Sequence, residues 1–306
     1  MEFLYVLESI RNPVLDAFFS LVTHLGNETL FIAIAIAVFW CVNKRTGYYL
    51  LTVGFFGTLL NQFLKLVCRV PRPWVRDPNF TIVESARAEA TGYSFPSGHT
   101  QSITGSMGCL ARASRRVSVR IVCIVLIGLT AFSRMYLGVH TPADVLVGSA
   151  IALFFIVALR PVIYAHEGRA FPWLLGIMVL TAVGFVSYVE LFPFPANVDP
   201  ANLESARENS YTLLGALVGM IFVWLIDRKT DFHTRAVWYV QIVKAVLGLA
   251  LTVGLMEGLK IPQHAIFGDL LLGRAVRYML VVIFAGDLWP MTFPWLAKLE
   301  RKADVA

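Results

Sequence analysis

Charged side chains are scarce in this chain of 306 residues. Asp, Glu, Lys and Arg make up 15% of it, against about 25% of an average soluble domain, whereas 57% of the residues are apolar. A soluble protein of this length has no core large enough to bury so many apolar side chains. The composition therefore excludes a soluble globular enzyme, a disordered chain and a nucleic-acid-binding module, and it indicates a membrane protein that crosses the bilayer several times.

Cysteine is also rare, and its spacing matches neither a metal site nor a secreted disulfide framework. The four cysteines are Cys41, Cys68, Cys109 and Cys123. All lie in or beside apolar runs, so we expect four free thiols. The first residues carry no basic cluster and no small-residue cleavage site, so we expect no cleaved signal peptide.

Apolar runs long enough to cross or nearly cross a bilayer occur throughout most of the chain. They lie at about 29–43, 47–67, 97–112, 117–134, 142–160, 171–191, 211–227, 236–256 and 275–296. These runs predict an all-α fold, a polytopic helical membrane bundle with about nine spans. The preceding stretch, 2–25, is interrupted by charged residues and favours an interfacial amphipathic helix. Gly215 and Gly219 are spaced for a close helix contact.

Basic residues are unequally divided between the two predicted sides of the membrane. One side holds fourteen of them: Lys44, Arg45, Arg112, Arg115, Arg116, Arg120, Arg160, Arg169, Arg228, Lys229, Arg235, Lys298, Arg301 and Lys302. The other side holds eleven, together with most of the acidic residues. The positive-inside rule predicts that the more basic side is cytoplasmic.

Three polar clusters lie on the less basic side, where charged residues at span ends are candidates for function. The first contains Lys65, Arg72 and Pro73; the second is Pro96-Ser97-Gly98-His99; the third contains Ser133, Arg134, His140 and Asp144. Because consecutive spans alternate in direction, these clusters are expected at one end of the bundle.

The cations of these clusters suit a phosphate group. Lys65, Arg72 and Arg134 have no acidic neighbour in the sequence, and such side chains form charge-assisted hydrogen bonds with phosphoryl oxygens. Ser97 and Gly98 follow a proline and are expected at a helix N-terminus, where backbone N–H groups also favour an anion.

Two histidines complete the predicted site. His140 precedes Thr141-Pro142, a pattern typical of a helix start, which places Asp144 in the first turn. A carboxylate there can accept the Nδ1 proton of His140 and leave Nε2 free as a nucleophile. His99 is placed to protonate a leaving oxygen.

Together these residues resemble the signature of the type 2 phosphatidic acid phosphatase superfamily, which includes membrane lipid phosphatases, glucose-6-phosphatase and vanadium haloperoxidases. The superfamily pattern is Lys-x6-Arg-Pro, Pro-Ser-Gly-His and Ser-Arg-x5-His-x3-Asp. The three clusters of this chain match it without departure.

The resemblance implies a mechanism without a metal or other cofactor. His140 would attack phosphorus and Asp144 would orient it, while His99 would protonate the leaving alcohol. Phosphoryl oxygens would be bound by Lys65, Arg72, Ser97, Gly98 and Arg134. Water would then hydrolyse a phosphohistidine. Active sites of this superfamily face the outside or an organelle lumen, which agrees with the charge count. The compact chain with few long loops favours a bacterial inner membrane with a periplasmic site, and a eukaryotic luminal site would look the same in sequence.

The predicted elements and the extent of the resemblance, roughly 29–160, together divide the chain into three parts. Residues 1–28 would form the interfacial N-terminal helix, 29–160 the phosphatase core, and 161–306 additional spans, a layout similar to glucose-6-phosphatase and the sphingoid-phosphate phosphatases. The predicted partners are a membrane lipid phosphate and the bilayer, with no nucleic acid.

Several functions remain compatible with these residues. The favoured one is hydrolysis of a lipid phosphate monoester or diphosphate. A lipid or sugar phosphotransferase and a sugar-phosphate phosphatase would use the same pocket. An anion transporter would need the cations but not the His140 and Asp144 pair, and a haloperoxidase would be soluble.

Overall fold

The computed structural model describes residues 1–88, 90, 92–164, 170–227, 232 and 234–297. Every regular element in these ranges is helical, which confirms the all-α prediction. The α-helices of the described ranges are α1 Glu2–Ser9, α2 Pro13–Thr23, α3 Glu28–Cys41, α4 Lys44–Cys68, α5 Pro73–Arg76, α6 Gly98–Ala113, α7 Val117–Tyr136, α8 Pro142–Tyr164, α9 Phe171–Leu191, α10 Pro200–Asp227, α11 Trp238–Gly258, α12 Lys260–Phe267, α13 Leu271–Ile283 and α14 Phe293–Leu296. Helical turns of other types lie at His24–Gly26, Glu84–Ala86, Phe284–Leu288 and Pro290–Thr292.

Six segments of the described ranges are long and apolar enough to cross a bilayer, rather than nine. They are Lys44–Arg76, Val117–Tyr136, Pro142–Tyr164, Phe171–Leu191, Pro200–Asp227 and Trp238–Phe267. A seventh crossing is formed if Pro13–Gly26 and Glu28–Cys41, which meet at a bend of 50°, count as one broken span. The chain is therefore an integral membrane protein, and nine spans are not confirmed.

The other three predicted spans form helices that are shorter than these six segments. Helices α3, α6 and α13 contain 14, 16 and 13 residues, or about 20–24 Å each at 1.5 Å per residue. Helix α6 buries Thr, Ser and Gln side chains, together with Gly105, along much of its length. Small and polar residues of this kind pack between other helices rather than face lipid.

The chain divides into two compact units. The first comprises Met1–Ile34, Tyr49–Tyr164 and Pro193–Ala206; the second comprises Ala35–Tyr48, Ala165–Phe192 and Arg207–Ala306. All three polar clusters lie in the first unit. The division at 28 and 160 that the sequence predicts stays a prediction, and so does the interfacial position of residues 1–28. Among the basic residues used to predict orientation, six lie outside the described residues: Arg169, Arg228, Lys229, Lys298, Arg301 and Lys302.

In the first unit, the N-terminal helices pack against the C-terminal end of α7. Arg11 donates hydrogen bonds from Nε to the Tyr136 carbonyl (2.9 Å) and from a terminal nitrogen to the Thr81 carbonyl (2.9 Å). These bonds satisfy carbonyl groups that a helix end and a loop would otherwise leave without partners. They fix the loop before α6 and the end of α7 relative to one another.

Two long connections of the first unit meet directly. The Tyr93 N–H donates to Asn202 Oδ1 at 2.7 Å, and the Asp199 N–H donates to the Tyr93 hydroxyl at 3.2 Å. The loop that follows α5 and the start of α10 therefore lie at the same end of this unit.

The second unit contains the close helix contact that the glycine spacing predicts. A Cβ atom at Gly215 would collide with the Ala275 backbone, and one at Gly219 would lie 2.8 Å from the Met279 carbonyl. Helices α10 and α13 therefore approach each other more closely than larger side chains would allow. Buried Trp40 donates from Nε1 to the Ala285 carbonyl at 2.7 Å in the same unit.

Candidate active site

Four helix ends of the first unit carry the three polar clusters. The predicted residues occupy the following places: Lys65 lies in the last turn of α4, Arg72 in the connection to α5, Ser97, Gly98 and His99 at the start of α6, Arg134 in the last turn of α7, His140 between α7 and α8, and Asp144 in the first turn of α8. Direct contacts join the clusters: Arg72 bonds to His140, and the Ser97 N–H donates to the Asp144 carbonyl at 3.0 Å. The predicted common face is therefore present in the structure.

Arg72 is fixed in the interior by backbone carbonyls. Its Nε donates to the Gly92 carbonyl at 2.9 Å, and one terminal nitrogen donates to the Val139 carbonyl at 3.0 Å. The same terminal nitrogen lies 2.9 Å from His140 Nε2. A guanidinium can only donate, so Nε2 is the acceptor and carries a lone pair.

With Nε2 as the acceptor, the proton of neutral His140 lies on Nδ1, on the side of Asp144. Nδ1 lies 3.5 Å from Asp144 Oδ2, and the two side chains are 2% exposed. This separation is longer than an optimal hydrogen bond. The carboxylate itself is held by the Thr141 N–H at 2.7 Å.

Ser94 is a site residue that the sequence reasoning missed. Its fully buried hydroxyl donates to Asp144 Oδ2 at 2.6 Å and lies 3.4 Å from His140 Nδ1. The hydroxyl therefore bridges the imidazole and the carboxylate. A serine two residues before a proline has no distinctive signal, so only the folded chain identifies this role.

Burial lowers the pKa of His140 well below its ordinary value, and the positive charges of the three nearby cations act in the same direction. His140 lies in the connection between two helices, where a protonated imidazole would face those cations. Its neutral form, which has the nucleophilic lone pair, is favoured throughout the neutral pH range.

The α7–α8 connection is shaped by its glycine. Gly138 has a φ of +81°, in the left-handed region that glycine adopts without strain. A Cβ there would lie 2.7 Å from an Arg11 side-chain nitrogen. The N–H groups of Val139 and His140 then return to the Arg134 carbonyl at 3.1 and 3.2 Å, which ties the histidine to the end of α7.

Ser97 and Gly98 begin α6 as predicted. Ser97 is the N-cap; its buried hydroxyl lies 2.9 Å from Thr100 Oγ1 and accepts from the Thr100 N–H at 3.4 Å. Its side chain therefore serves the helix start, while the first backbone N–H groups of α6 point toward the cluster end.

Arg134 contacts a residue from the N-terminal segment. One of its terminal nitrogens donates to Thr23 Oγ1 at 2.6 Å, and both side chains are buried. The following turn lies against His99, because a Cβ at Gly26 would be 2.8 Å from the His99 carbonyl. Residues of the N-terminal segment thus line the site, which the sequence reasoning did not predict.

Lys65 and His99 complete the arrangement. Each interacts electrostatically with Arg72 and Arg134, and His99 also interacts with His140. All eight predicted residues are therefore gathered at one end of the first unit. Such a set of cations around a neutral histidine can bind a phosphoryl group and present a nucleophile to it.

Two family models match the sequence. The PAP2 superfamily model matches residues 45–167, and the model described as "PAP2 superfamily phosphatase, transmembrane extension" matches residues 211–302. The first range contains all three polar clusters.

Several curated proteins are similar to this chain. A probable sphingosine-1-phosphate phosphatase of Dictyostelium discoideum is 30% identical over 72% of this chain and 56% of its own length. An undecaprenyl-diphosphatase of Bacillus subtilis is 30% identical over 47% of this chain and 73% of its own length. Sphingosine-1-phosphate phosphatase 1 of Mus musculus is 26% identical over 96% of this chain and 64% of its own length. The chain thus spans little more than half of the first of these relatives, and no solved structure matches it.

Proposed function

This chain belongs to the PAP2 superfamily, and we propose on that basis that it is a membrane phosphatase acting on a lipid phosphate monoester or diphosphate through a phosphohistidine. The observation that carries the proposal is the arrangement around His140. Its Nε2 faces the Arg72 guanidinium at 2.9 Å, while Nδ1 faces Ser94 and Asp144. The names of the relatives and the apolar helices support a lipid substrate.

The proposed reaction has two steps. His140 Nε2 forms a bond to phosphorus as the bond to the lipid oxygen breaks, and His99 gives its proton to that oxygen. Water then attacks the phosphohistidine, His99 takes one proton from that water, and inorganic phosphate and neutral His140 are released. Lys65, Arg72 and Arg134 stabilise the charge on the equatorial oxygens in both steps, together with N–H groups at the start of α6.

We expect turnover to be independent of added metal and inhibited by orthovanadate. The three cations supply positive charge that a metal ion supplies in other phosphatases, and vanadate adopts the five-coordinate geometry of the reacting phosphorus. The measurement is phosphate release from phosphatidate, a prenyl diphosphate and sphingosine 1-phosphate by purified protein, with and without a chelator. Loss of activity in the chelator that magnesium restores would contradict the mechanism.

Thr23→Val should weaken binding of the phosphoryl group, because valine keeps the shape of threonine but cannot accept the bond from Arg134. One charge-assisted hydrogen bond corresponds to about a tenfold rise in KM and in the vanadate concentration for half inhibition. Thr23→Ser keeps the acceptor and should stay near the wild-type values. The matched control is Ser20→Ala, which lies on the same helix as Thr23 and removes a hydroxyl contact with Ser85 of the turn Glu84–Ala86. A uniform loss of kcat in Thr23→Val with unchanged KM would contradict this role.

We propose that the site faces the periplasm or the outside of a bacterial inner membrane, with α6 as a central crossing shielded by other helices, as in the nine-span layout. A cysteine at exposed Ser205, near the contact between Tyr93 and Asn202, should react with an impermeant thiol label in intact cells. Ala113→Cys, at the opposite end of α6, should react only after the membrane is breached. Both variants need Cys68 replaced by serine, because Cys68 is exposed. The reverse labelling pattern would mean the opposite orientation.

A further inference from the structure

Glu28 places a carboxylate beside the cationic end of the first unit. It begins α3, outside the three clusters and outside the PAP2 match. Phe31, three residues later on the same helix face, is buried and lies 3.3 Å from the Cβ position of Gly105 in α6. Glu28 itself is exposed. The Glu28 carboxylate therefore remains accessible at the start of α3, on the side of the helix that packs toward α6.

Helix α4 carries the side chains that interact with Glu28. Thr58, Asn61 and Lys65 are spaced to lie on one face of that helix. Thr58 Oγ1 donates to Glu28 Oε1 at 2.8 Å, and Glu28 interacts electrostatically with Lys65. The carboxylate is therefore held on the lipid-chain side of the phosphate-binding lysine, within the roughly 10 Å that separate Thr58 from Lys65.

A second polar group lies on the same face of α4, between Thr58 and Lys65. Asn61 is buried, its side-chain oxygen lies 3.9 Å from the Cβ position of Gly98, and its amide nitrogen has no hydrogen-bond partner in the described part of the chain. A buried N–H donor without an acceptor reduces the stability of the fold, unless a ligand accepts its hydrogen bond. From its C-terminal end inward, this face of α4 thus carries the Lys65 ammonium, the Asn61 amide and Thr58, which binds the Glu28 carboxylate.

A carboxylate at this position is unfavourable for a simple phosphate ester. It repels the phosphoryl dianion that the cations attract, and like charges this close reduce affinity. A substrate that carries a positive charge near its phosphate changes this balance, because the carboxylate attracts that charge and the attraction offsets its repulsion of the phosphoryl group. Neutral diacyl or prenyl chains provide no such charge, whereas an amino group does.

Resting on the proposed phosphatase function, we propose that Glu28 forms an ammonium subsite and that the substrate is a long-chain phosphate with a free amine on the carbon next to the phosphate-bearing carbon. With the phosphate at Lys65, that amine falls on the lipid-chain side, toward Glu28. Sphingosine 1-phosphate has this chemistry, and two of the relatives are named for it.

The test compares sphingosine 1-phosphate with the same molecule N-acetylated, which keeps the chain and the leaving group but removes the charge. Wild-type protein should prefer the free amine by about tenfold to a hundredfold in kcat/KM. Glu28→Gln should lose that preference because its kcat/KM falls for the free amine, whereas its kcat/KM for the N-acetyl compound should change less than threefold. Glu84→Gln, an exposed glutamate paired with Arg87 in the same unit, should behave as wild type.

The wild-type comparison does not depend on whether Glu28→Gln folds. Release of phosphate from both substrates without preference overturns the ammonium subsite alone. Equal loss on both substrates in Glu28→Gln also overturns it and makes Glu28 a charge partner of Lys65. Absence of phosphate release from any lipid phosphate by folded wild-type protein overturns the proposed function, and the subsite with it.

Discussion

His140→Ala should abolish phosphate release from every substrate, a loss of about 10⁴- to 10⁶-fold. Without the imidazole no phosphoenzyme can form, and the cations alone do not provide a nucleophile. Phosphate release from a lipid phosphate and from p-nitrophenyl phosphate should be measured in parallel, with vanadate binding to show that the pocket is intact.

The matched control for this variant is His264→Ala. His264 is an exposed histidine whose Nδ1 lies 4.0 Å from Asp269, so it has a carboxylate near its ring but lies outside the site. It should retain wild-type activity. A His140→Ala protein that binds vanadate and still turns over p-nitrophenyl phosphate would contradict the nucleophile assignment.

His99→Ala should separate substrates by their leaving groups. A lipid alkoxide needs a proton as it leaves, so loss of the general acid should cost about 10²- to 10⁴-fold. p-Nitrophenolate leaves as a stable anion, so the first step with this substrate should be little affected. If the same histidine activates water, the phosphohistidine should then persist. Mass spectrometry after brief exposure to the aryl phosphate should find phosphate on His140.

The same experiment has a clear contrary outcome. Equal losses on lipid and aryl phosphates, with no trapped phosphoenzyme, would mean that His99 is not the general acid. Gly26 packs against the His99 backbone, so a Gly26→Ala variant would then test whether the position of α6, rather than the imidazole, limits the reaction.

The parts of the fold and site that follow local rules could be predicted from the sequence. Thr141-Pro142 starts α8 and Ser97 caps α6, because caps and prolines act over a few residues. That the three polar clusters meet at one end of the first unit could also be predicted, because consecutive helices alternate in direction.

Contacts made by single residues across the fold were not predictable in this way. Thr23 reaches Arg134 over 111 positions, and Ser94 reaches Asp144 over 50; a lone hydroxyl residue carries no pattern that indicates its partner. Nine spans are not confirmed because an apolar run does not reveal how long or how polar its helix is: α6 follows its predicted run, but it has only 16 residues and buries many polar side chains.

The contact between Arg72 and His140 has a consequence for chemical selectivity. The lone pair of Nε2 accepts a hydrogen bond from the Arg72 guanidinium, so the imidazole is masked. An anion competes with Nε2 for the same N–H group while the carbonyls of Gly92 and Val139 keep the guanidinium in place. Binding of the phosphoryl group therefore exposes the lone pair when phosphorus is beside it. A neutral electrophile, such as the carboxylic ester of a membrane lipid, has no negative charge with which to compete for the Arg72 N–H group. We therefore expect the site not to hydrolyse the acyl esters that surround it in the bilayer. His140 should become reactive only when an anionic phosphoryl group binds.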